Sequence, residues 1–182
     1  PSLLPLYRGA SPIRSAILDD QPDAVGVSVM LLDEQMDHGP ILAQEAMTFA
    51  DNTWPVPGRY LDQALAALGG GLLAETIPAW VAGEVIPQEQ DHDAATYCGK
   101  LDRSMGELSL DPLQLPTGDA AYQMILKIRA FDGFPGTFFI HDNRRVKVLS
   151  AHVHDSHLVI DEVVPEGKRP QSFADYLHSL RK

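Results

Sequence analysis

Residues 24–49, AVGVSVMLLDEQMDHGPILAQEAMTF, decide the fold of the first half of the chain. Residues 24–32 form a β-branched apolar run that reads as a buried strand, and residues 40–49 read as a second strand with a partly polar face. The Met36-Asp37-His38-Gly39 turn between them makes the pair a hairpin at the end of a sheet. Working outward, Ser11 supplies an N-cap and Pro12 suits a first helical position. Ile13, Ala16 and Ile17 recur at helical spacing, so a short amphipathic helix precedes the hairpin. A long helical pattern over 58–83 follows it, interrupted by Gly69-Gly70-Gly71 and Pro78. The glycine run lies inside a helical stretch with no Gly-Lys-Ser/Thr after it, so close packing or a kink is its expected role and phosphate binding is not.

Residues 87–95, PQEQDHDAA, are polar, acidic and without apolar period, which marks a linker. The spacing predicts a first domain over 1–86, a linker over 87–98 and a second domain over 99–182. In the second, 120–130 is a helix with Met124, Ile125 and Ile128 on one face. Short strands over 136–140, 144–150 and 158–164 are separated by His141-Asp142-Asn143 and Asp155-Ser156, and a helix over 172–180 closes the chain. Strands at this spacing predict a small antiparallel barrel.

Composition narrows the function. With 45% hydrophobic and 21% charged residues, the 182-residue chain is that of a globular protein. Its longest apolar runs, 25–32 and 64–73, fall short of the ~20 residues of a membrane span. No signal peptide is visible, and the one cysteine, Cys98, makes no internal disulfide, so a reducing, cytoplasmic setting is expected. The net charge of -11 is uneven: residues 1–120 carry 5 Lys+Arg against 18 Asp+Glu, whereas residues 121–182 carry 9 against 7. Only the carboxyl-terminal third can attract a polyanion by its overall charge.

Asp37, in an Asp-x-Gly turn just past a buried strand, is where a carboxylate can orient a base or hold a proton, although such aspartates also serve simply as turn formers. Asp33 and Glu34 add carboxylates without His or Cys partners, which offers at most a weak Mg²⁺ or Ca²⁺ contact. His152, His154 and His157 look like a metal box, but exposed hairpin histidines account for them more simply, so no metal is expected. Cys98 reads as a small apolar residue.

The segment PSLLPLYRGASPIRSAI followed by MDHGPILAQ resembles the second half of the catalytic domain of the 10-formyltetrahydrofolate-dependent formyltransferases. Pro87-Gln88, Thr96-Tyr97 and Lys100-Leu101 resemble the linker of the branch acting on methionyl-tRNA. IRAFDGFPGTFF and EGKRPQSFADYL resemble its carboxyl-terminal barrel. Ser-Leu-Leu-Pro with a downstream Asp-x-Gly is shared with the branches acting on glycinamide ribonucleotide and UDP-sugars. Arg8-Gly9, Pro12-Ile13 and above all the barrel favour the methionyl-tRNA branch.

The resemblance implies an α/β protein: the carboxyl-terminal half of a Rossmann-like formyltransferase domain followed by an OB-like barrel. It implies that Ser2, Leu3, Leu4 and Pro5 line the site of 10-formyltetrahydrofolate and that Asp37 is the catalytic aspartate. In that family Asn and His donate hydrogen bonds to the tetrahedral oxyanion, and the Asp orients and charges the His. Those two residues would precede Pro1, so the chain is expected to be inactive, or nearly so, alone. The implied partner is initiator methionyl-tRNA, with Arg8, Lys127, Arg129, Lys147, Lys168 and Arg169 as candidate contacts. A half-sheet leaves an edge to cover, for which a second copy or the missing amino-terminal segment is expected. A non-catalytic RNA-binding remnant and a sugar-nucleotide formyltransferase are the alternatives.

Overall fold

A computed structural model describes residues 1–180; Arg181 and Lys182, which contribute to the carboxyl-terminal charge excess, lie outside the described residues. The chain divides into two compact units, Pro1–Leu101 and Asp102–Lys182.

In the first unit, β1 (Arg8–Gly9) leads into α1 (Pro12–Leu18), which begins at Ser11 with Pro12 in its first turn. β2 (Gly26–Met30) and β3 (Ile41–Ala46) pair antiparallel, from Gly26 opposite Ala46 to Met30 opposite Ile41, with an irregularity between Val29 and Met30. This is the hairpin the apolar run and the turn predict. α2 (Gly58–Val81) packs against both strands and α1. Leu61 and Leu65 are fully buried there beside Ile13, Ile17 and Val27. Each such leucine contributes about 1.5–3 kcal/mol by leaving water.

α2 runs without a break through the three glycines and through Pro78. A Cβ at Gly69 would stand in ordinary van der Waals contact with Val27, 3.5 Å from its Cγ1, and Gly70 and Gly71 face open space, so close packing does not require glycine at any of the three positions. Pro78 falls in the final turn, where little helix remains to be kinked, and its carbonyl accepts from the Ala82 N–H at 2.9 Å. α2 is also long and apolar enough to cross a membrane by length and composition, with a mean hydropathy of 1.4; a single such helix is weak evidence and does not place the protein in one. Leu73, Ile77 and Val81 lie exposed on it.

The polar segment after α2 is integral to the first unit. Gln88 and Ile41 exchange backbone hydrogen bonds, each 2.8 Å, and β4 (Tyr97–Cys98) runs parallel to β1, pairing Arg8 with Tyr97 and Gly9 with Cys98. Backbone pairing of this kind needs no apolar period, which is why the segment reads as a linker.

In the second unit, β5 (Thr137–His141), β6 (Arg144–His154), β7 (His157–Pro165) and β8 (Gln171–Ser172) form an antiparallel sheet in chain order. Asp142-Asn143 and Asp155-Ser156 both have positive φ at the two loop positions, as two-residue type I′ hairpins require. α3 (Gly118–Ala130) and α4 (Phe173–Ser179) cover the sheet. The core joins Ile125, Ile128, Phe139, Val146, Ile160, Val163, Phe173 and Tyr176. An isolated bridge between Glu107 and Phe138 adds to β5, but no closed barrel is found among the described residues. The expected antiparallel strands are present as an open sheet.

Candidate active site

Asp37 sits at φ 54, in the left-handed region that a turn aspartate tolerates, and its Oδ2 accepts the Gly9 N–H at 2.7 Å. Gly9 is itself fixed: it has φ +118, and a Cβ there would stand 2.3 Å from the Cys98 carbonyl oxygen. Gln90 Nε2 donates to the carbonyls of Asp37 and Gly39, at 3.1 and 2.7 Å, and holds the turn from the other side. Gly39 admits no side chain, since a Cβ would fall 2.0 Å from the Leu31 carbonyl oxygen.

Arg8, read from the sequence as a substrate contact, is only 1% exposed. Its guanidinium is used inside the first unit: Nε and Nη2 donate to Gln90 Oε1, Nη2 also to His92 Nδ1 at 2.9 Å, and Nη1 to the Tyr97 hydroxyl. Arginine only donates, so in this contact Nδ1 of His92 stands as the acceptor. His92 stacks on His38 with ring centroids 4.0 Å apart, and His38 Nδ1 lies 2.7 Å from Asp33 Oδ2. The hydrogen bond to His38, then that from the Gln35 N–H, holds the Asp33 carboxyl below its ordinary range. The structure thus joins Asp37 to Arg8 and Asp33 to His38. It adds Gln90, His92 and Tyr97, which no spacing in the sequence brings together.

Ser2 and Leu4 are buried and Leu3 and Pro5 half-buried. Ser28 Oγ donates to the Ser2 carbonyl and accepts the Leu4 N–H, and Gln44 Nε2 donates to the Leu4 carbonyl. The loop is therefore fastened to β2 and β3, with the Leu3 side chain lying against Gly26.

The basic candidates of the second unit separate into groups. Lys127 spends its ammonium on the Glu107 carbonyl at 2.7 Å, and Arg129 follows it on α3. Lys168 and Arg144 line a cavity of about 490 Å³, and Lys147 and Arg145 line an adjoining one of about 230 Å³; Pro165 and Glu166 border both. Arg169 is exposed and borders neither. Arg145 lies over the Phe138 ring at 3.6 Å from its centroid, and its Nε is buried without a hydrogen-bond partner. Arg144 and Arg145 are absent from the sequence candidates; their place beside a positive-φ hairpin turn was the signal available.

Among the described residues no group of three or more His, Cys, Asp or Glu is placed to hold a metal ion. His152 instead lies 3.1 Å from Asp161, and His154 3.4 Å from Asp155. Cys98 Sγ lies 3.4 Å from the Ser11 N–H and from the carbonyls of Tyr7 and Arg8, a packed thiol in a polar crevice.

Two family models match the chain, formyl transferase over residues 1–54 and the formyl transferase C-terminal domain over residues 118–159. The chain is 33% identical to a methionyl-tRNA formyltransferase of Roseiflexus over its whole length, and spans 60% of that relative. Among solved structures, HypX from Aquifex aeolicus in complex with tetrahydrofolic acid superposes on all of the chain and 34% of HypX, with a TM-score of 0.71 at 15% identity. A Mycobacterium tuberculosis protein described as a likely sugar N-formyltransferase covers 93% of the chain, which spans 65% of it, with a TM-score of 0.62 at 23% identity. At these identities the structural likenesses establish the fold, while the matched domains and the relative at one-third identity establish kinship. The chain belongs to the formyl transferase family of enzymes.

Proposed function

We propose that the protein to which this chain belongs transfers the formyl group of 10-formyltetrahydrofolate to the α-amine of initiator methionyl-tRNA. The observation that carries the reading is Asp37, held by Gly9 and Gln90 in the turn where the family places its catalytic aspartate, in a chain alignable end to end with a methionyl-tRNA formyltransferase. With Oδ2 anchored on Gly9, Oδ1 is the oxygen that orients an imidazole or takes up the proton released by the attacking amine. Leu3 and Pro5 pack against the folate, whose formyl carbon is the electrophile. We read the open antiparallel sheet as the strand set of an OB-like barrel, and Arg144, Arg145, Lys147 and Lys168 beside it as the contacts to tRNA phosphates. A substrate of translation and a lone thiol support a cytoplasmic setting for the reaction.

Formyl transfer to methionyl-tRNA is measured with this chain, alone and with the amino-terminal segment of the Roseiflexus relative added in trans. Asp37→Asn is run beside each. Turnover is expected in the complemented reaction and a loss of about a hundredfold or more in the variant. Formylation of a nucleotide sugar with none of methionyl-tRNA would overturn the substrate, and full activity of the variant would overturn the role of Asp37.

A further inference from the structure

Gln90 lies in the segment that reads as a linker, yet it is 6% exposed and both ends of its side-chain amide are engaged. Its Oε1 accepts from Arg8 Nε at 3.2 Å and Nη2 at 2.7 Å, and its Nε2 donates to the carbonyls of Asp37 and Gly39. Arginine has donors only, so the amide fits one way round, oxygen toward Arg8 and nitrogen toward the turn. His92 and Tyr97 fix the guanidinium in turn. The dipeptide Arg8-Gly9 therefore grips the turn twice: through Gln90 at the backbone, and through the Gly9 N–H at the Asp37 carboxylate.

We infer that Gln90 is a positioning residue for Asp37 in formyl transfer, with Arg8 setting the direction of its amide. This rests on Asp37 being the catalytic carboxylate. Asp37 holds its positive φ, which an aspartate tolerates, in a turn fixed at the carbonyls of Asp37 and Gly39 and at the Asp37 carboxylate. Two amide protons take the carbonyls on either side of His38, so the turn cannot rotate without losing both. A carboxylate that drifts by an ångström no longer meets the reacting atoms in line.

Gln90→Glu tests this. The change is nearly isosteric, keeps an acceptor for Arg8 and removes both donors to the turn. In amide exchange followed by NMR on the 182-residue chain, the Gly9 N–H is expected to lose protection by about tenfold or more, while the amides of Arg8 and Ala10, bonded to the carbonyls of Thr96 and Cys98, keep theirs. In the complemented formylation assay, kcat is expected to fall about tenfold or more with KM for the formyl donor unchanged. Arg8→Lys keeps the charge and loses the fork; it is expected to act in the same direction and serves if the glutamate variant does not fold. Parental Gly9 protection, or parental kcat, in Gln90→Glu would overturn the inference. If the complemented parent transfers no formyl group, the functional reading falls, and Gly9 protection alone then decides the positioning.

Discussion

Two side chains of the first unit are shifted by their surroundings in opposite directions, and each gives stability its own pH dependence. Asp33 is held low by His38 and the Gln35 N–H, so its contribution is present above the unfolded value of about 3.9 and is lost as pH falls through the folded value. Thermal melts of Asp33→Ala and the parent should differ slightly near neutral pH and converge in acid, since the group is solvent-exposed. A gap that persists in strong acid would rule this linkage out. Tyr7 is pushed up to about 12, first by burial and then by its hydrogen bond to Asp19. Its contribution is intact below about pH 10 and is lost as pH rises through 12, so Tyr7→Phe should flatten the alkaline limb of the melting profile. Gly9→Ala meets both a strained φ and the Cys98 carbonyl, and is expected to cost roughly 2 kcal/mol or more, read from urea melts.

At the scale of elements, α2 holds the clearest mismatch between residue and place. Gly70 and Gly71 lie mid-helix with nothing within 4 Å of where a Cβ would stand. Each replacement by alanine should stabilise the chain by about 0.5–1 kcal/mol, visible as a higher urea midpoint at unchanged slope. Gly69→Ala is expected to gain at least as much, because its Cβ would make an ordinary van der Waals contact with Val27. The three hairpins and the helices were legible because periodicity and turn residues are local signals. The break expected at the glycines was not found: glycine lowers helix propensity, but packing of Leu61 and Leu65 against the sheet outweighs that cost. Asp37 stands out in the sequence by its turn and by resemblance, and the structure shows that turn held by Gly9 and Gln90. Gln90, His92 and Tyr97 were not, because their roles depend on pairing across the length of the unit, which no period records.

For the molecule as a whole, charge is concentrated by region. The residues beyond 120 hold a slight basic excess in an otherwise acidic chain, and Arg144, Arg145, Lys147 and Lys168 border the two adjoining cavities of the second unit. Replacing Lys147 and Lys168 by alanine should weaken binding to methionyl-tRNA and reduce its log–log salt slope by roughly one for each phosphate left without a basic partner, measured by filter binding at several salt concentrations. An unchanged slope would overturn the proposal that these residues contact tRNA phosphates.

The pairing of Arg8 with Tyr97 spans 89 positions of sequence. During synthesis the hairpin and α2 can form as they leave the ribosome, but the grip on the Asp37 turn waits until β4 has emerged and closed that loop. A nascent chain halted anywhere before residue 87 would carry the Asp37 turn without the Gln90 amide that holds it. The same holds for dissection of the gene: a cut placed in the polar segment would separate the turn from the strand that locks it, whereas a cut after Leu101 would leave the first unit whole.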